Sequence, residues 1–208
     1  MIAVIDYEAG NAPSVVAALR YIGHESTLVD NKADLTRAER IILPGVGSAD
    51  ATMASLRQLD LLDTMTERVR AGVPFLGICV GLQVLFEHSE EGDVACLGWF
   101  PGKVKRFASG AVRVPQIGWN AAKAQRPDAI LDGVPEDSYF YFVNSYYVVP
   151  QDPALALYTT NYSVEFTSMI ARANVFATQF HVEKSGPLGL QILKNFLRVQ
   201  NTGKSALS

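Results

Sequence analysis

The first half of the chain alternates short, continuously apolar runs with stretches of helical periodicity. The apolar runs predict buried strands at residues 2–5, 26–30, 40–44 and 74–78. The helical pattern predicts helices at residues 13–23, from about 49 to 71 with a break near Leu59, and at residues 80–89. Because strands and helices alternate and the strands are apolar throughout, this half predicts a parallel sheet covered by helices on both faces.

From about Trp99 to Ala177 the pattern changes to short β-rich pieces separated by turn residues. Strands are predicted at VKRF, AVRV, SYFYFV, SYYVV, FTSMIARA and VFATQF. An amphipathic helix over residues 187–199 follows, and residues 200–208 are expected to fray. We therefore predict one α/β domain over residues 1–208. Its mostly parallel central sheet is flanked by helices and carries an added antiparallel or mixed β region.

Composition narrows the classes of function. The 208 residues are 49% hydrophobic and 19% charged, which suits a protein with a sizeable core. A formal net charge of -3 without a basic run gives no electrostatic footprint for nucleic acid or an anionic membrane. No apolar run is long enough to span a bilayer, and the first residues lack the pattern of a signal peptide. Two cysteines and three histidines match no zinc pattern, so we expect a reduced, soluble, cytoplasmic protein that needs no metal or cofactor.

The stretch FLGICVGLQVLF, residues 75–86, places Cys79 between a predicted strand and a predicted helix. This is the strand–turn–helix context of a nucleophile elbow. Gly77 and Gly81 remove the Cβ atoms that would obstruct a tight turn and a close approach of helix to strand. A thiol at a helix N-terminus is favoured as thiolate, and the N–H of Val80 can face an oxyanion. The alternative is a buried structural cysteine.

A thiolate nucleophile needs an imidazole to move protons. His88 is predicted on the same helix as Cys79, about 13 Å away along its axis, and His24 is predicted at an exposed helix end. His181 is followed by Glu183, and in an extended segment residues i and i+2 point to the same side. Glu183 can then orient the imidazole, which completes a Cys–His–Glu arrangement. The alternative is a surface His–Glu pair at the end of a strand.

The sequence PGVG at residues 44–47 directly follows a predicted strand. Its backbone N–H groups, from Gly45, Val46 and Gly47, are candidate oxyanion donors, because open α/β sheets place their sites at the carboxyl ends of parallel strands. Loss of one such donor typically costs about 3–4 kcal/mol of transition-state stabilisation.

PGVG, GICVGLQ and QFHVEKSG, in this order, resemble the motifs of the triad-type (class I) glutamine amidotransferases. PQIGWN (115–120), YFVNSYY (141–147) and the opening IDY…GN (5–11) are similar to the glutaminase subunits of imidazole glycerol phosphate synthases, which serve histidine biosynthesis. The resemblance runs from Ile2 to about Leu197.

The resemblance implies that Cys79 attacks the side-chain amide of glutamine, forms a glutamyl thioester and releases ammonia. His181 would protonate the leaving group and then activate water, while Glu183 orients it. The backbone of Gly45 to Gly47 would supply a movable oxyanion donor. The family's substrate contacts match Gln83, Ser145 and Tyr146.

The resemblance also implies a partner, a separate (β/α)₈-barrel cyclase subunit that receives the ammonia in a heterodimer. No phosphate-binding loop or dinucleotide fingerprint is visible, so the chain lacks a site of its own for a phosphorylated acceptor. The interface is expected at an apolar and aromatic segment and one nearby cation, which comprise Pro115, Gln116, Ile117, Trp119, Asn120 and Lys184. Core burial of Ile117 and Trp119, and an ordinary surface charge at Lys184, are the alternatives.

Some positions depart from the family pattern: Glu8 stands where Gly is usual, Asn144 where His is usual and Val182 where Pro is usual. These changes leave open the glutaminase of a paralogous synthase. Two further alternatives are a free-standing Cys–His–Glu hydrolase of γ-glutamyl bonds or small amides, and a catalytically idle binding subunit. The intact triad argues against idleness, and PQIGWN argues against independence.

Overall fold

The computed structural model describes residues 1–7, 11–108, 110 and 112–207. Its strands are β1 (Ile2–Ile5), β2 (Thr27–Val29), β3 (Arg40–Leu43), β4 (Phe75–Ile78), β5 (His88–Ser89), β6 (Val94–Ala95), β7 (Gly102–Arg106), β8 (Gln116–Ala124), β9 (Asp137–Asn144), β10 (Tyr146–Pro150), β11 (Ala156–Tyr162), β12 (Val164–Arg172) and β13 (Val175–Thr178). Its α-helices are α1 (Ala12–Tyr21), α2 (Lys32–Thr36), α3 (Ala49–Gln58), α4 (Leu62–Arg70), α5 (Val80–Gln83) and α6 (Gly186–Arg198). Short 3₁₀ helices cover Ala129–Leu131, Pro153–Leu155 and Val182–Lys184.

One sheet joins the strands of the described residues in the order β2-β1-β3-β4-β13-β12-β10-β7-β5-β6. The part from β2 to β13 is parallel, and β12 continues it in the antiparallel direction. An antiparallel branch leaves β12 through β11 and β8 to β9. The predicted fold class, a mostly parallel sheet with an added antiparallel region, is confirmed.

The central position of β4 decides where the site forms. β4 lies between β3 and β13 and runs parallel to both. All four residues of β4 are buried, because helices and loops cover both faces of this part of the sheet, and such strands read as continuous apolar runs. The carboxyl ends of the three strands therefore open onto one edge, where Pro44–Gly47, Cys79 and Gln179–His181 follow them in the chain.

The helix predicted over residues 80–89 is wrong in its length. α5 ends at Gln83, and the following segment leads into β5. The carbonyls of Val84 and Phe86 accept the backbone N–H groups of Leu97 and Gly98, at 2.9 and 2.8 Å. Because a continuing helix needs those carbonyls for its own ladder, the tertiary contact ends the helix early.

In the β-rich half, one predicted strand is absent from the described residues and two observed strands were not predicted. AVRV is not a strand in its described residues, where Val112 makes an isolated bridge. β8 and β11 were not predicted as strands, since Gly118 and Asn120 lower the strand signal of β8. Both gain their conformation from pairing: β8 aligns with β9 over eight residue pairs, and β11 with β12 over six.

The described C-terminal residues, where fraying is predicted, make hydrogen bonds to the rest of the protein. The N–H of Ala206 donates to Asn174 Oδ1 at 2.9 Å, and the Ser205 hydroxyl donates to the carbonyl of Val69 at 3.2 Å. Hydrogen bonds to Asn174 and to Val69 of α4 therefore connect the described part of this tail to the domain. Among the described helices, none combines the length and the apolar character needed to cross a bilayer.

Candidate active site

The turn after β4 holds Cys79 in a strained backbone conformation, φ 56° and ψ -107°, at the cap of α5. Non-glycine residues rarely adopt this region, and such strain concentrates at functional sites. The predicted need for glycines is confirmed. A Cβ at Gly77 would collide with the carbonyl of Gly81, and a Cβ at Gly81 would collide with the carbonyl of Leu43. α5 therefore sits against β3 and β4 at a distance that only glycine permits.

The thiol of Cys79 is buried and contacts β9 and the segment that follows β13. The Cys79 S–H donates to the carbonyl of Val143 at 3.7 Å, and Gln179 Nε2 donates to the sulfur at 3.6 Å. The side chain of His181 also hydrogen-bonds with Cys79. The thiol thus meets an imidazole from the end of β13, as predicted from the sequence.

His181 and Glu183 form a buried pair. His181 Nδ1 lies 2.8 Å from Glu183 Oε1, and the two side chains are 3% and 0% exposed. The predicted reason for their proximity is wrong: Val182–Lys184 is a 3₁₀ helix, so the pair forms across a tight turn and not along an extended strand. Asn11 Nδ2 donates to the same carboxylate oxygen, which fixes the carboxylate in turn.

Electrostatics favour the charged form of His181. Burial works against the imidazolium, but the hydrogen bonds and electrostatic interactions of His181 with Cys79 and Glu183 outweigh it and raise the pKa of His181 to about 10. His181 is therefore protonated at neutral pH beside the sulfur. An imidazolium in that position stabilises a thiolate and can give its proton to a leaving group.

A cavity of about 280 Å³ opens above the sulfur. This volume is near the lower end of ligand pockets, which span about 300–1,000 Å³. Its described lining comprises Val46, Gly47, Cys79, Val80, Gln83, Glu91, Pro115, Val143, Asn144, Ser145, Tyr146, His181 and Lys184. The structure thus brings all three predicted substrate contacts, Gln83, Ser145 and Tyr146, to the same space as the thiol and the imidazole.

The side-chain amide of Gln83 is hydrogen-bonded at its nitrogen but has no partner at its oxygen within the described chain. Its Nε2 donates to the carbonyl of Tyr146 and to Gln179 Oε1, both at 3.1 Å. Among the described residues, Gln83 Oε1 and Asn144 Oδ1 are buried acceptors without a hydrogen-bond partner. Asn144 Nδ2 also donates to the carbonyl of Tyr146, at 3.0 Å. Two buried oxygens of cavity-lining residues therefore have no hydrogen-bond partner in the described protein.

The oxyanion donors predicted from PGVG are only partly aimed at the cavity. Val46 and Gly47 line it, and Gly45 packs against Val80 and Gly81, where a Cβ would collide. The hydroxyl of Tyr7 donates to the carbonyl of Pro44 at 2.8 Å and accepts the N–H of Val46. That N–H must therefore turn before it can serve an oxyanion. The N–H of Val80 is at the first position of α5, where the helix offers it no carbonyl.

The predicted interface residues divide into two groups. Ile117 and Trp119 are 58% and 56% exposed, which rules against core burial, and Lys184 is exposed at the mouth of the cavity. Gln116 is 3% exposed, so its side chain faces the interior and is not a surface contact. The period of two along β8 explains the division, since neighbouring residues face opposite sides of the sheet. Pro115 and Asn120 are half-buried.

Sequence reasoning missed several residues of the site. Glu91 places a half-buried carboxylate in the cavity wall, where burial raises its pKa although it accepts the N–H of Ala49. No spacing marks Glu91, because it reaches the cavity through the turn that replaces the expected helix. Tyr7 and Gln179 lie within quoted motifs but had no assigned role. Of the departures, Val182 is buried in the 3₁₀ turn, and Glu8 lies outside the described residues.

The other histidines lie apart from the cavity. His24 is exposed, as predicted. His88 sits in β5, and its Nε2 lies 2.8 Å from Asp93 Oδ1 near the surface. Among the described residues, no group of three or more His, Cys, Asp or Glu side chains is arranged to hold a metal ion.

Comparison with known proteins shows to which family the chain is similar. Residues 3–199 match the family model described as glutamine amidotransferase class-I. A relative from Moorella thermoacetica, "Imidazole glycerol phosphate synthase subunit HisH", is 47% identical over 196 residues, which cover 94% of this chain and 93% of that protein. A protein of the same name from Herpetosiphon aurantiacus is 46% identical over 200 residues, covering 96% of this chain and 94% of that protein.

Solved structures agree on the fold. One titled "Structure of PurLQS from Thermotoga maritima" superposes with a TM-score of 0.75 at 20% identity and covers 94% of this chain and 96% of that chain. One titled "Crystal structure of glutamine amidotransferase" has a TM-score of 0.74 at 18% identity and covers 95% of this chain and 97% of that chain.

Proposed function

The chain belongs to the class-I glutamine amidotransferase family, and we propose how its residues carry out the glutaminase step of imidazole glycerol phosphate synthesis. The observation that carries the proposal is that Cys79 and His181 line one cavity while Glu183 is held behind His181, so that the sulfur, the imidazole and the carboxylate contact one another in that order. Relatives at 44–47% identity over nearly the whole chain bear the name of that synthase's subunit. The glutaminase function is therefore this chain's part in histidine biosynthesis, while the lyase step belongs to the cyclase.

In the first half-reaction the Cys79 thiolate adds to the carboxamide carbon of glutamine. The S–C bond forms while the carbonyl π pair moves to oxygen, which gives a tetrahedral oxyanion. His181 then passes its proton to the departing nitrogen, the C–N bond breaks, and ammonia leaves. The product on the protein is a glutamyl thioester, with His181 neutral and held in place by Glu183.

In the second half-reaction the neutral imidazole takes a proton from water. The resulting hydroxide adds to the thioester carbon, and collapse of the intermediate breaks the C–S bond. Glutamate leaves, and the thiolate and imidazolium are restored. No redox partner or cofactor enters either half-reaction.

Recognition of glutamine uses the polar groups of the cavity wall. The Glu91 carboxylate suits the α-ammonium group, because an opposite charge in a half-buried wall attracts it strongly. The unpaired oxygens of Gln83 and Asn144 suit N–H donors of the substrate. Ser145 and Tyr146 complete the wall on the β10 side.

A cyclase subunit is proposed to dock over the mouth of this cavity. The outward face of the β8–β9 pair carries four exposed apolar or aromatic side chains, Ile117, Trp119, Tyr139 and Val143, which we call the β8–β9 patch. Contiguous exposed apolar patches mark interaction sites, and aromatic residues are enriched in interface cores. A (β/α)₈-barrel partner in a heterodimer is the form that the sequence resemblance implies. Cytoplasmic location is proposed on the two free cysteines of the described chain, Cys79 and Cys96.

The proposal predicts low glutaminase activity for the chain alone and strong stimulation by the cyclase subunit carrying its ribonucleotide. The Val46 N–H is held by Tyr7, so the oxyanion has the N–H of Val80 but lacks the donor from the Gly45–Gly47 loop until that loop turns. A missing donor lowers kcat about 10²–10³-fold, which sets the expected range of stimulation. Glutamate release is measured with the chain alone, with the cyclase, and with the liganded cyclase. Full activity of the isolated chain would instead support a free-standing hydrolase, and no activity in any mixture an idle subunit.

The docking surface predicts a second result. Trp119→Asp places a charge in the centre of the β8–β9 patch and is expected to weaken binding of the cyclase at least about 30-fold, the effect of losing an interface hot spot. Tyr21→Asp is the matched control, because Tyr21 is an aromatic residue 80% exposed on another part of the surface. Isothermal titration calorimetry gives both dissociation constants. Equal dissociation constants for the two variants would place the interface elsewhere.

A further inference from the structure

One edge of β9 contacts both catalytic residues through its backbone, Cys79 at the side chain and His181 at the main chain. β9 pairs with β8 along its other edge. On the edge facing the cavity, the carbonyl of Val143 accepts the Cys79 S–H at 3.7 Å, and the carbonyl of Tyr141 accepts the backbone N–H of His181 at 2.9 Å. Cys79 follows β4 and His181 follows β13, and the backbone of β9 forms a hydrogen bond with each of them.

Ser185 provides a second link between His181 and β9. Its hydroxyl donates to the carbonyl of His181 at 2.6 Å and accepts the N–H of Tyr141 at 3.0 Å. Both polar groups of the His181 backbone are thus tied to Tyr141, the N–H directly and the carbonyl through Ser185. Ser185 is itself 2% exposed. Its single proton is used in this bridge, and water has little access to replace it.

We propose that Ser185 is a positioning residue for His181, holding the imidazole at a fixed offset from Cys79 through β9. The inference rests on the proposed roles of Cys79 and His181 in glutamine hydrolysis. A catalytic group must stay within about 0.5 Å and 10–20° of its productive geometry. A hydrogen-bonded ring that includes both polar groups of the residue's own backbone supplies this precision. Ser185 is absent from the described lining of the cavity, so it acts on the rate and not on substrate binding.

The test compares Ser185→Ala with Ser138→Ala in the complex with the cyclase. Ser138 is the matched control because it lies on β9, is 2% exposed like Ser185, and donates its hydroxyl to a carbonyl, that of Pro135 at 2.7 Å, away from the cavity. Ser185→Ala is expected to lower kcat for glutamine hydrolysis about 10–100-fold, since a misplacement of 1 Å can cost about 100-fold. The KM for glutamine is expected to stay within about threefold. Ser138→Ala is expected to leave both constants unchanged.

A spectroscopic readout separates positioning from general loosening. Contacts with Cys79 and Glu183 raise the pKa of His181 to about 10, so displacement of the ring moves its NMR titration midpoint down toward the ordinary value of about 6.5. Ser185→Ala is expected to show this shift, while Ser138→Ala keeps the wild-type midpoint. Ser185→Thr retains a hydroxyl and is expected to recover most of kcat.

Several outcomes overturn the proposal: wild-type kcat in Ser185→Ala, an unchanged midpoint, an equal loss in Ser138→Ala, or a loss in Ser185→Thr as large as in Ser185→Ala. If Ser185→Ala does not fold, Ser185→Cys takes its place, because a thiol keeps the volume and bonds weakly. Failure of the wild-type complex to hydrolyse glutamine would contradict the proposed function, whereas the ratio of variant to wild type tests Ser185 alone.

Discussion

Cys79→Ala is expected to abolish glutamine-dependent synthesis in the complex while leaving synthesis from added ammonium salts intact. Removal of the sulfur removes the thioester, and losing a covalent nucleophile lowers kcat by at least about 10⁴-fold. The cyclase needs only ammonia, so a salt that supplies ammonia bypasses the missing step. The measurement is the rate of product formation by the complex, first with glutamine and then with ammonium chloride as the source of nitrogen.

Cys96→Ala is the control for this experiment. Cys96 is the other free cysteine of the described chain, and burial raises its pKa to about 11, which keeps it a thiol at neutral pH. Its removal is expected to leave glutamine-dependent synthesis unchanged. Glutamine-driven turnover in Cys79→Ala, or its loss in Cys96→Ala, would show that Cys79 is not the nucleophile.

His181→Asn is expected to lower glutamine-dependent turnover about 10³–10⁴-fold. The imidazole both stabilises the thiolate and delivers the proton that the departing nitrogen needs, and asparagine does neither. The variant keeps a polar side chain in a buried place, so folding is less at risk than with an apolar replacement. Glutamate release by the complex is the measurement, with melting temperature as a check on folding.

His88→Asn provides the matched control. His88 pairs with Asp93 near the surface, away from the cavity, so its loss is expected to leave turnover within about twofold of wild type. A comparable loss in both variants would mean that the complex is sensitive to any change in charge. Wild-type turnover in His181→Asn would leave proton transfer to another group of the cavity wall.

The fold was predictable where local pattern and tertiary context agree. β4 is buried on both faces and its sequence is apolar throughout, so pattern and structure coincide. The segment after Gln83 is equally apolar, yet it leaves the helix because residues 96–100 take its carbonyls. β8 contains Gly118 and Asn120, and its strand conformation depends on the ladder with β9. In both cases residues outside the segment itself supply the deciding hydrogen bonds, and the local propensity of the segment does not reveal them.

The amino-acid sequence by itself determined the chemistry: a thiol flanked by Gly77 and Gly81, and a histidine followed by Glu183. Close approach of backbone to backbone leaves room only for glycine, so the requirement is visible in the residue types. Only the tertiary structure decided the geometry of the His–Glu turn, the turning of the Val46 N–H toward Tyr7, and the places of Glu91 and Ser185. Those positions depend on contacts between elements far apart in the chain, and a hydrogen bond between distant segments leaves no periodic signal in the sequence.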